Sequence, residues 1–277
     1  MDKTDGFPFN FDWHVHTVLS YCHEGELTVE NLVALAKERG LAGFAITDHT
    51  SHLYFPSPEA WHYKYMVDTS LWEAKREEGD RRVTAYIANL RRFYDKGVLA
   101  GVEVEPTLKG ELILSPRFLA EFDVILAGVH GLPGLEKADE KEFVRGFLDC
   151  TLGLLKQPID ILTHPTRIFR RAKRPVPRET YDPITRAAAE RGVAIEINNH
   201  IQLDPDGEFL KMAVDRGVKI AMSTDTHRID ELGLFDYHKR LLKEIGLSDE
   251  RIREVALSEK DLPRPGRRRF IENAKKP

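Results

Sequence analysis

The fold of this chain is decided by two short stretches, FDWHVHT at residues 11–17 and FAITDHT at residues 44–50, and by the helical pattern between them. Alternate side chains of an extended strand share a face, so His14 and His16 point the same way while Val15 points to the other side. Two strands that are separated by a helix pair in parallel. We therefore expect the polar ends of both stretches to emerge at one edge of a sheet.

Composition places the chain among ordinary packed globular proteins. It has 277 residues, 42% of them apolar, which is enough for one large α/β domain or two small ones. Its 41 basic and 45 acidic residues give a formal net charge of -4, so no overall positive field attracts nucleic acid or an anionic membrane. We expect a single domain over residues 1–277 that binds no nucleic-acid polymer.

Cysteine usage and the amino terminus favour a reducing compartment. The two cysteines, Cys22 and Cys150, are too few for a disulfide framework. Residues 1–6 lack the basic and apolar regions of a secretion signal, and no apolar run approaches the roughly 20 residues of a membrane-spanning helix. We therefore expect a soluble, cytoplasmic protein with no membrane partner.

One recurring unit joins helices to strands. A helical run ends in a charged residue and a glycine, and a short apolar strand follows; the glycines are Gly40, Gly97, Gly192 and Gly217. Glycine just past a helix supplies the left-handed residue that ends it. Two further apolar runs lack this glycine. With the first stretch, seven strands are predicted, at residues 11–16, 41–46, 98–102, 123–130, 159–165, 193–197 and 218–222.

Titratable residues at the strand ends decide the architecture. An open doubly wound sheet concentrates its site at one crevice, whereas a barrel brings the carboxyl ends of all its strands around one mouth. Six of the seven predicted strands end in His, Asp or Glu, and the remaining one carries Glu196, Asn198 and His200. We therefore predict an α/β fold, a seven-stranded TIM-like (βα) barrel, with these residues at its mouth: His14, His16, Asp48, His49, Glu103, Glu105, His130, His164, Asp225 and His227.

An aromatic-rich insertion follows the second strand, at about residues 51–78. Loops after barrel strands form the rim of the active site, so this segment is either a lid or a substrate wall, with His52 and His62 lining it. The alternative is a local core around a helix predicted over residues 82–94.

Residues 167–178 carry six basic side chains directly after the strand-end His164. A charge run is usually a solvated face, but guanidinium groups also bind phosphate oxygens in a bidentate manner. We predict that Arg167 or Arg171 contacts a substrate phosphate. The basic tail at residues 263–277 supports no functional prediction.

The strand-end residues together indicate a metal site. Burying several imidazoles and carboxylates side by side is costly unless cations pair with them. Ligands of these types accept Zn, Mn and Fe alike. The sequence therefore predicts divalent metal ions at the barrel mouth and leaves their identity open.

The strand-end motifs resemble those of the PHP (polymerase and histidinol phosphatase) family. They occur in the family's order: HVHT at 14–17, TDH at 47–49, GVE at 101–103, GVH at 128–130, THP at 163–165 and TDTH at 224–227. The resemblance implies a distorted seven-stranded barrel that holds three divalent ions and hydrolyses phosphoesters.

The resemblance also implies which residues bind the three ions. The implied ligand sets are His14, His16, Glu103 and Asp225 for the first ion; Glu103, His130 and His164 for the second; and His23, His49 and His227 for the third, with Glu24 as the substitute for His23. Cys22, beside His23, is an alternative ligand, although a buried, inert thiol is the favoured expectation. Asp48 is expected to orient a histidine, Glu196 and Asn198 to support the site, and Glu105 and His200 to be structural or rim residues.

The implied reaction is attack on a small phosphoester by a hydroxide that bridges the first two ions, with His14 and Asp225 as catalytic ligands. The third ion and an arginine would hold the other phosphate oxygens, and a metal-bound water or His227 would protonate the departing alcohol. The CHEG turn at residues 22–25 resembles the histidinol phosphatase branch, whereas the aromatic insertion favours a nucleotide or another aromatic phosphate.

Two other functions remain open. A metal-dependent amidohydrolase also begins with His-x-His, but it requires a lysine at a middle strand end, where this chain has Glu103. A non-catalytic or regulatory metal-binding barrel would have lost ligands, and here every motif retains them.

Overall fold

Seven parallel strands form one sheet that is nearly closed into a barrel. The computed structural model describes residues 10–202 and 204–262. The strands pair in chain order, and they are Phe11–Val15 (β1), Gly43–Ile46 (β2), Val98–Val104 (β3), Val124–Ala127 (β4), Ile161–Leu162 (β5), Ala194–Asn198 (β6) and Ile220–Ser223 (β7). The predicted seven-stranded α/β barrel is confirmed.

The first and last strands meet at the mouth of the barrel. The N–H of Thr226 donates to the carbonyl of His14 at 3.2 Å, and its carbonyl accepts the N–H of His16 at 3.1 Å. Below this seam the buried Asp12 carboxylate accepts the N–H groups of Thr224 and Gly233, each at 3.0 Å. Closure of the barrel therefore places both histidines of β1 beside the end of β7.

Helices connect the strands. They are Val29–Arg39 (α1), Thr50–Tyr54 (α2), Ser57–His62 (α3), Thr69–Leu90 (α4), Glu140–Leu154 (α5), Arg167–Arg171 (α6), Tyr181–Arg191 (α7), Gly207–Asp215 (α8), Asp236–Glu244 (α9) and Asp249–Val255 (α10). The four glycines predicted at helix-to-strand junctions have φ between 66° and 84°. These glycines therefore take the left-handed conformation that the sequence pattern predicts.

An apolar layer separates the mouth from the opposite end of the barrel. Its members are buried and packed on one another: Trp13, Ala45, Leu99, Val124, Leu126, Ile161, Ala194, Ala221 and Leu262. Because side chains alternate along a strand, Leu99 and Glu103 share a face of β3. The pairing of β1 with β2 shifts register between Asp12 and Val15. Such irregularities re-aim side chains, and here both Trp13 and His14 face inward.

The aromatic insertion becomes α2, α3 and the first part of α4. The helix predicted over residues 82–94 is wrong in its bounds, because Asp68 caps α4 by accepting the Ser70 N–H at 3.1 Å, so that the helix starts at Thr69. Several aromatic rings of the insertion are buried in a local core: Tyr54, Phe55, Tyr65 and Trp72.

Membrane insertion has no support in the described part of the chain. Within residues 10–202 and 204–262, each helix is too short or too polar to cross a bilayer. The basic tail at residues 263–277 lies outside the described residues.

Candidate metal centre

The Glu103 carboxylate lies at the centre of the mouth and is fully buried. Its Oε1 atom lies 2.8 Å from Nε2 of His164 and 3.1 Å from Nε2 of His130. Its Oε2 atom lies 3.3 Å from Nε2 of His14 and 3.1 Å from Nδ1 of His49. A carboxylate whose two oxygens face separate groups of imidazoles has the arrangement of a bridging ligand.

A second carboxylate, that of Asp225, completes the group around the β1 histidines. Its Oδ1 atom lies 3.1 Å from Nε2 of His16 and 3.4 Å from Nε2 of His14. The two Nε2 atoms are themselves 3.1 Å apart. The structure thus brings together all four residues predicted for the first ion, and it places His130 and His164, the other two residues predicted for the second ion, against Glu103.

Hydrogen bonds select the ring nitrogen that each histidine turns towards the mouth. Nδ1 of His14 lies 2.8 Å from Glu196 Oε1, Nδ1 of His16 lies 3.0 Å from Ser20 Oγ, and Nδ1 of His227 lies 2.6 Å from the Asp225 carbonyl. If each Nδ1 carries the proton and donates it to that oxygen, a lone pair remains on Nε2. Metal-binding histidines usually donate their other ring N–H in this manner.

Charges at the mouth oppose each other at close range. Burial lowers the pKa of His14, but the Asp225 and Glu103 carboxylates outweigh burial and hold that pKa well above 6.5. Burial disfavours ionised Glu103 and Asp225, yet the surrounding imidazoles hold both carboxyl pKa values well below their usual range. Burial lowers the pKa of His130 to about 4. The acids are therefore ionised, and His130 is neutral with a lone pair available.

Several buried ring nitrogens lack a hydrogen-bond partner, namely Nδ1 of His49, Nδ1 of His164 and both nitrogens of His130. Carboxylate oxygens lie within 3.1 Å of His49 Nδ1 and His130 Nε2, but not in the alignment that a hydrogen bond requires. Buried polar atoms in native proteins are normally paired. Atoms that converge in this way fit shared cations, so the residues present fit divalent ions with nitrogen and oxygen ligands.

A third group of potential ligands differs from the predicted one. The ligand atoms of His16, Cys22 and His227 lie within 4.8 Å of one another, and so do those of Cys22, His49 and His52. Nδ1 of the predicted His23 lies 2.8 Å from the Ser20 carbonyl.

Sequence reasoning undervalued Cys22, which follows His16 by six residues in the same turn. Burial raises the pKa of this thiol, but hydrogen bonds from His227 and His49 more than offset burial and leave the pKa below its usual value. The thiol therefore lies beside two imidazoles, which favours the alternative that Cys22 is a ligand over the favoured expectation of a buried, inert thiol. The side chain of Glu24, predicted as the substitute ligand, is exposed.

Two residues, Glu196 and Asn198, form hydrogen bonds with the predicted ligands and support them from outside the group. Glu196 Oε2 accepts the N–H of His164 at 2.6 Å and the side-chain amide of Asn198 at 3.2 Å. Asn198 also donates to Asp225 Oδ2 at 3.0 Å. Both residues thus hold predicted ligands in place, as the sequence suggested, and Glu196 makes the direct contact with His14 Nδ1.

Asp48 is linked to a histidine through a third residue, Ser20, which the sequence did not suggest. Its carboxylate accepts the Ser20 hydroxyl at 2.6 Å and the Thr17 hydroxyl at 2.7 Å. Ser20 in turn faces His16, so Asp48 orients a histidine indirectly. Glu105 makes the direct contact with His49, at 2.8 Å from Nδ1, although it was expected to be structural or a rim residue.

Two of the predicted ligands have unusual backbone conformations. The φ angles are 54° at Asp225 and 27° at His164. A non-glycine residue in this region costs on the order of 1–3 kcal/mol, and such residues cluster at functional sites. The backbone here is constrained where the side chains must be aimed.

Residues 12–200 match the model of the PHP domain. The chain belongs to the PHP domain family. Relatives in this family include a probable phosphatase of Edwardsiella ictaluri, 28% identical over 254 residues that make up 88% of this chain and 89% of the relative. A probable phosphatase of Shewanella loihica is 29% identical over 253 residues, 88% of each chain.

A solved structure has the same PHP-like fold. Histidinol phosphate phosphatase from Lactococcus lactis, in complex with zinc, L-histidinol and phosphate, matches with a TM-score of 0.55. The match covers 87% of this chain and 95% of that protein at 20% identity. At this identity the likeness establishes the fold alone.

Two arginines of this PHP chain reach the mouth from α6. Arg167 Nη1 lies 3.5 Å from Asp225 Oδ2. Arg171 Nη1 donates to the Tyr63 hydroxyl at 3.1 Å and to the His130 carbonyl at 3.0 Å. Arg171 therefore braces two loops through Nη1, whereas Arg167 lies directly beside the predicted ligand Asp225.

A cavity of about 360 Å³ lies next to His130, lined by Trp61, Tyr63, Glu136 and Arg171 among others. Part of the aromatic insertion thus forms a wall beside the predicted metal ligands while its other rings form the local core. A larger cavity of about 990 Å³ lies among Gly40, Gly97 and the neighbouring helix ends. It is at the end of the barrel opposite the ligands and has no part in their chemistry.

The remaining histidines have other environments. His200 stacks on His227 with ring centroids 4.4 Å apart and lies 3.2 Å from Glu231, which fits a rim residue. His52 is buried beside His49, whereas His62 is exposed on the insertion. His238 is fully buried under the ends of β6 and β7, where Nε2 lies 2.9 Å from the carbonyls of Ile197 and Ser223.

Proposed function

We propose that this chain is a metal-dependent phosphatase that releases phosphate from a small phosphorylated metabolite. Membership of the PHP family and relatives described as probable phosphatases support this function. The observation that carries it is Glu103, whose two carboxylate oxygens face two separate groups of imidazoles. The active site is the mouth of the barrel.

The ligand sets follow this geometry. A first ion would be held by His14, His16, Glu103 and Asp225, and a second by Glu103, His130 and His164. His49 and His227 would contribute to a third. When bound, divalent ions of the Zn, Mn or Fe type neutralise phosphoryl oxygens and lower the pKa of water. Asp48, Glu105 and Glu196 keep the imidazoles oriented.

The phosphoryl group is held by Arg167. Its guanidinium lies beside Asp225 and is partly exposed, so it can form the bidentate contact that phosphate oxygens favour. Arg171 braces Tyr63 and His130 instead, and it contributes to the shape of the cavity rather than to phosphate binding.

His227 cannot act as ligand and proton donor at once. Nδ1 faces the Asp225 carbonyl, so Nε2 is the one ring nitrogen left for either role. Because His227 groups with His16 and Cys22, we assign it to metal binding. The leaving alcohol then receives its proton from water in the open part of the mouth.

The cavity beside His130 suits the leaving group. Trp61 and Tyr63 offer aromatic faces, and Glu136 offers a carboxylate at the same cavity. A ring-bearing alcohol fits such walls. Histidinol phosphate and nucleotide monophosphates both have this character, and the fold is shared with a protein that binds histidinol and phosphate.

The test is phosphate release from a panel of monoesters, measured with chelator-treated protein before and after Zn, Mn or Fe is restored. The panel contains histidinol phosphate, nucleoside monophosphates and aliphatic phosphates, with a diester and an amide as further substrates. We expect metal-dependent release from at least one ring-bearing monoester. Metal binding without hydrolysis would instead identify a binding barrel, and amide cleavage would identify an amidohydrolase.

A further inference from the structure

The turn that follows β1 brings a thiol to the edge of the metal centre. The Cys22 ligand atom lies within 4.8 Å of those of His16 and His227, and it belongs to a second group with His49 and His52. Two independent groups of imidazoles therefore share this sulfur atom. Nδ1 of the buried His49 ring faces the Glu103 and Glu105 carboxylates, 3.1 and 2.8 Å away, and has no aligned hydrogen-bond partner, so in this corner of the mouth His49 lies between these carboxylates and the thiol.

The lone pairs in this corner can be assigned one by one. Nδ1 of His52 accepts the N–H of Tyr21 at 3.0 Å, so the neutral ring carries its proton on Nε2 and has no lone pair to offer. Nε2 of His16 is already directed at Asp225, 3.1 Å away. Of the imidazoles around Cys22, this leaves His49 and His227 with nitrogen atoms to share with the thiol.

We propose that Cys22, as a thiolate, binds the third divalent ion together with His49 and His227. This proposal depends on one part of the proposed function, namely that the mouth of the barrel binds metal ions. Binding breaks the S–H bond, releases one proton to solvent and forms one metal–sulfur bond. Because thiolate is a soft ligand, this position takes zinc, iron(II) or cobalt(II) in preference to magnesium or manganese.

The chain provides a matched control for this thiol. Cys150, its other cysteine, is buried in α5, and its Sγ atom donates to the Thr107 carbonyl at 3.4 Å. Burial raises the pKa of Cys150 to about 12. Cys150 is therefore unavailable to metal ions, and replacing it tests only the general effect of losing a thiol.

The first experiment follows cobalt(II) binding to chelator-treated protein by absorption spectroscopy. We expect a thiolate-to-cobalt charge-transfer band in the wild type and in Cys150→Ser, and its loss in Cys22→Ser. The number of ions bound per chain, measured by elemental analysis, falls by one in Cys22→Ser and is unchanged in His23→Ala. A band that persists in Cys22→Ser, or loss of an ion in His23→Ala alone, would overturn the proposal.

A second experiment needs no variant, so it is independent of any folding defect. Iodoacetamide alkylates Cys22 in the metal-free wild type, and mass spectrometry of peptides identifies the modified residue. We expect zinc to protect Cys22 from alkylation and manganese to leave it reactive. Equal reactivity in the presence of zinc would overturn the proposal. Neither experiment uses phosphate release, so a failed phosphatase assay leaves the outcome of both readable.

Discussion

Two buried carboxylates in this protein have contrasting surroundings. Asp80, on α4 beside the aromatic insertion, accepts hydrogen bonds from the Tyr54 hydroxyl at 2.7 Å and from the Ser115 hydroxyl at 2.7 and 2.9 Å, and it pairs with Arg117 at 3.2 Å. Glu103, at the mouth, is surrounded by imidazole nitrogens, three of which belong to rings with unpaired atoms. We call the first group the insertion cluster (Tyr54, Asp80, Ser115 and Arg117).

The contrast separates a structural polar group from a functional one. Hydroxyl and guanidinium donors satisfy Asp80 within the protein, so the insertion cluster is complete as it stands. The nitrogens around Glu103 belong to several imidazoles that converge on one buried carboxylate, an arrangement that shared cations stabilise. Burial alone does not distinguish the two, because Asp80 is 8% exposed and Glu103 is 0% exposed.

The largest effect is expected from Glu103→Gln. This change keeps the size of the side chain and removes the charge that bridges two ligand groups, so we predict a loss in kcat of about 10³-fold or more. Added zinc should raise the free energy of unfolding of the wild type by about 4 kcal/mol at 1,000 times its Kd, and by much less in the variant. Full metal content with near wild-type turnover would contradict the bridging role.

A buried histidine outside the mouth, His238, should make the stability of the protein depend on pH. Burial lowers the pKa of His238 to about 4, against the effect of its bonds to the Ser223 and Ile197 carbonyls. Below about pH 6.5, the pKa of histidine in the unfolded chain, the unfolded state binds a proton at this imidazole and the folded state does not. The free energy of unfolding therefore decreases as the pH falls towards 4, by about 3 kcal/mol in total.

His238→Gln keeps a side-chain N–H donor and removes this titration. We expect urea denaturation of metal-free protein at pH 7 and pH 4.5 to show a smaller difference for the variant than for the wild type. An identical pH dependence in both would show that the pKa of His238 is the same in the folded and unfolded states.

Arg167→Ala tests the phosphate contact. We predict a loss of about 10²-fold in kcat/KM, because one preorganised donor to the phosphoryl oxygens is removed. Arg170→Ala is the control, since Arg170 lies on the same helix but donates to the Gln202 carbonyl at 3.3 Å on the surface. Equal rates for the two variants would exclude Arg167 from substrate binding.

The smallest effect is expected from Tyr54→Phe in the insertion cluster. Removing one hydroxyl donor to Asp80 should lower the free energy of unfolding by about 1 kcal/mol. Metal content and kcat should match the wild type, because the cluster contacts no predicted ligand. A loss of bound metal in this variant would show that the insertion cluster and the mouth are coupled.

Much of the site could be predicted because strand periodicity is a local property. The residues His14 and His16 lie two apart on one strand, and the ends of parallel strands meet at one edge. The predictions were weaker in turns and helices. The start of α4 depends on the cap at Asp68, and the relay from Asp48 through Ser20 to His16 depends on how a turn folds back on β2.

The sequence by itself determined the order of strands, the barrel and the set of polar residues at its mouth, because alternation and parallel pairing follow from local pattern. Only the tertiary structure decided which oxygen faces which ring nitrogen, that Arg171 braces two loops while Arg167 lies beside Asp225, and that Cys22 groups with His16 and His227. These distinctions depend on side-chain directions in turns and on contacts between residues far apart in the chain, which no local pattern encodes.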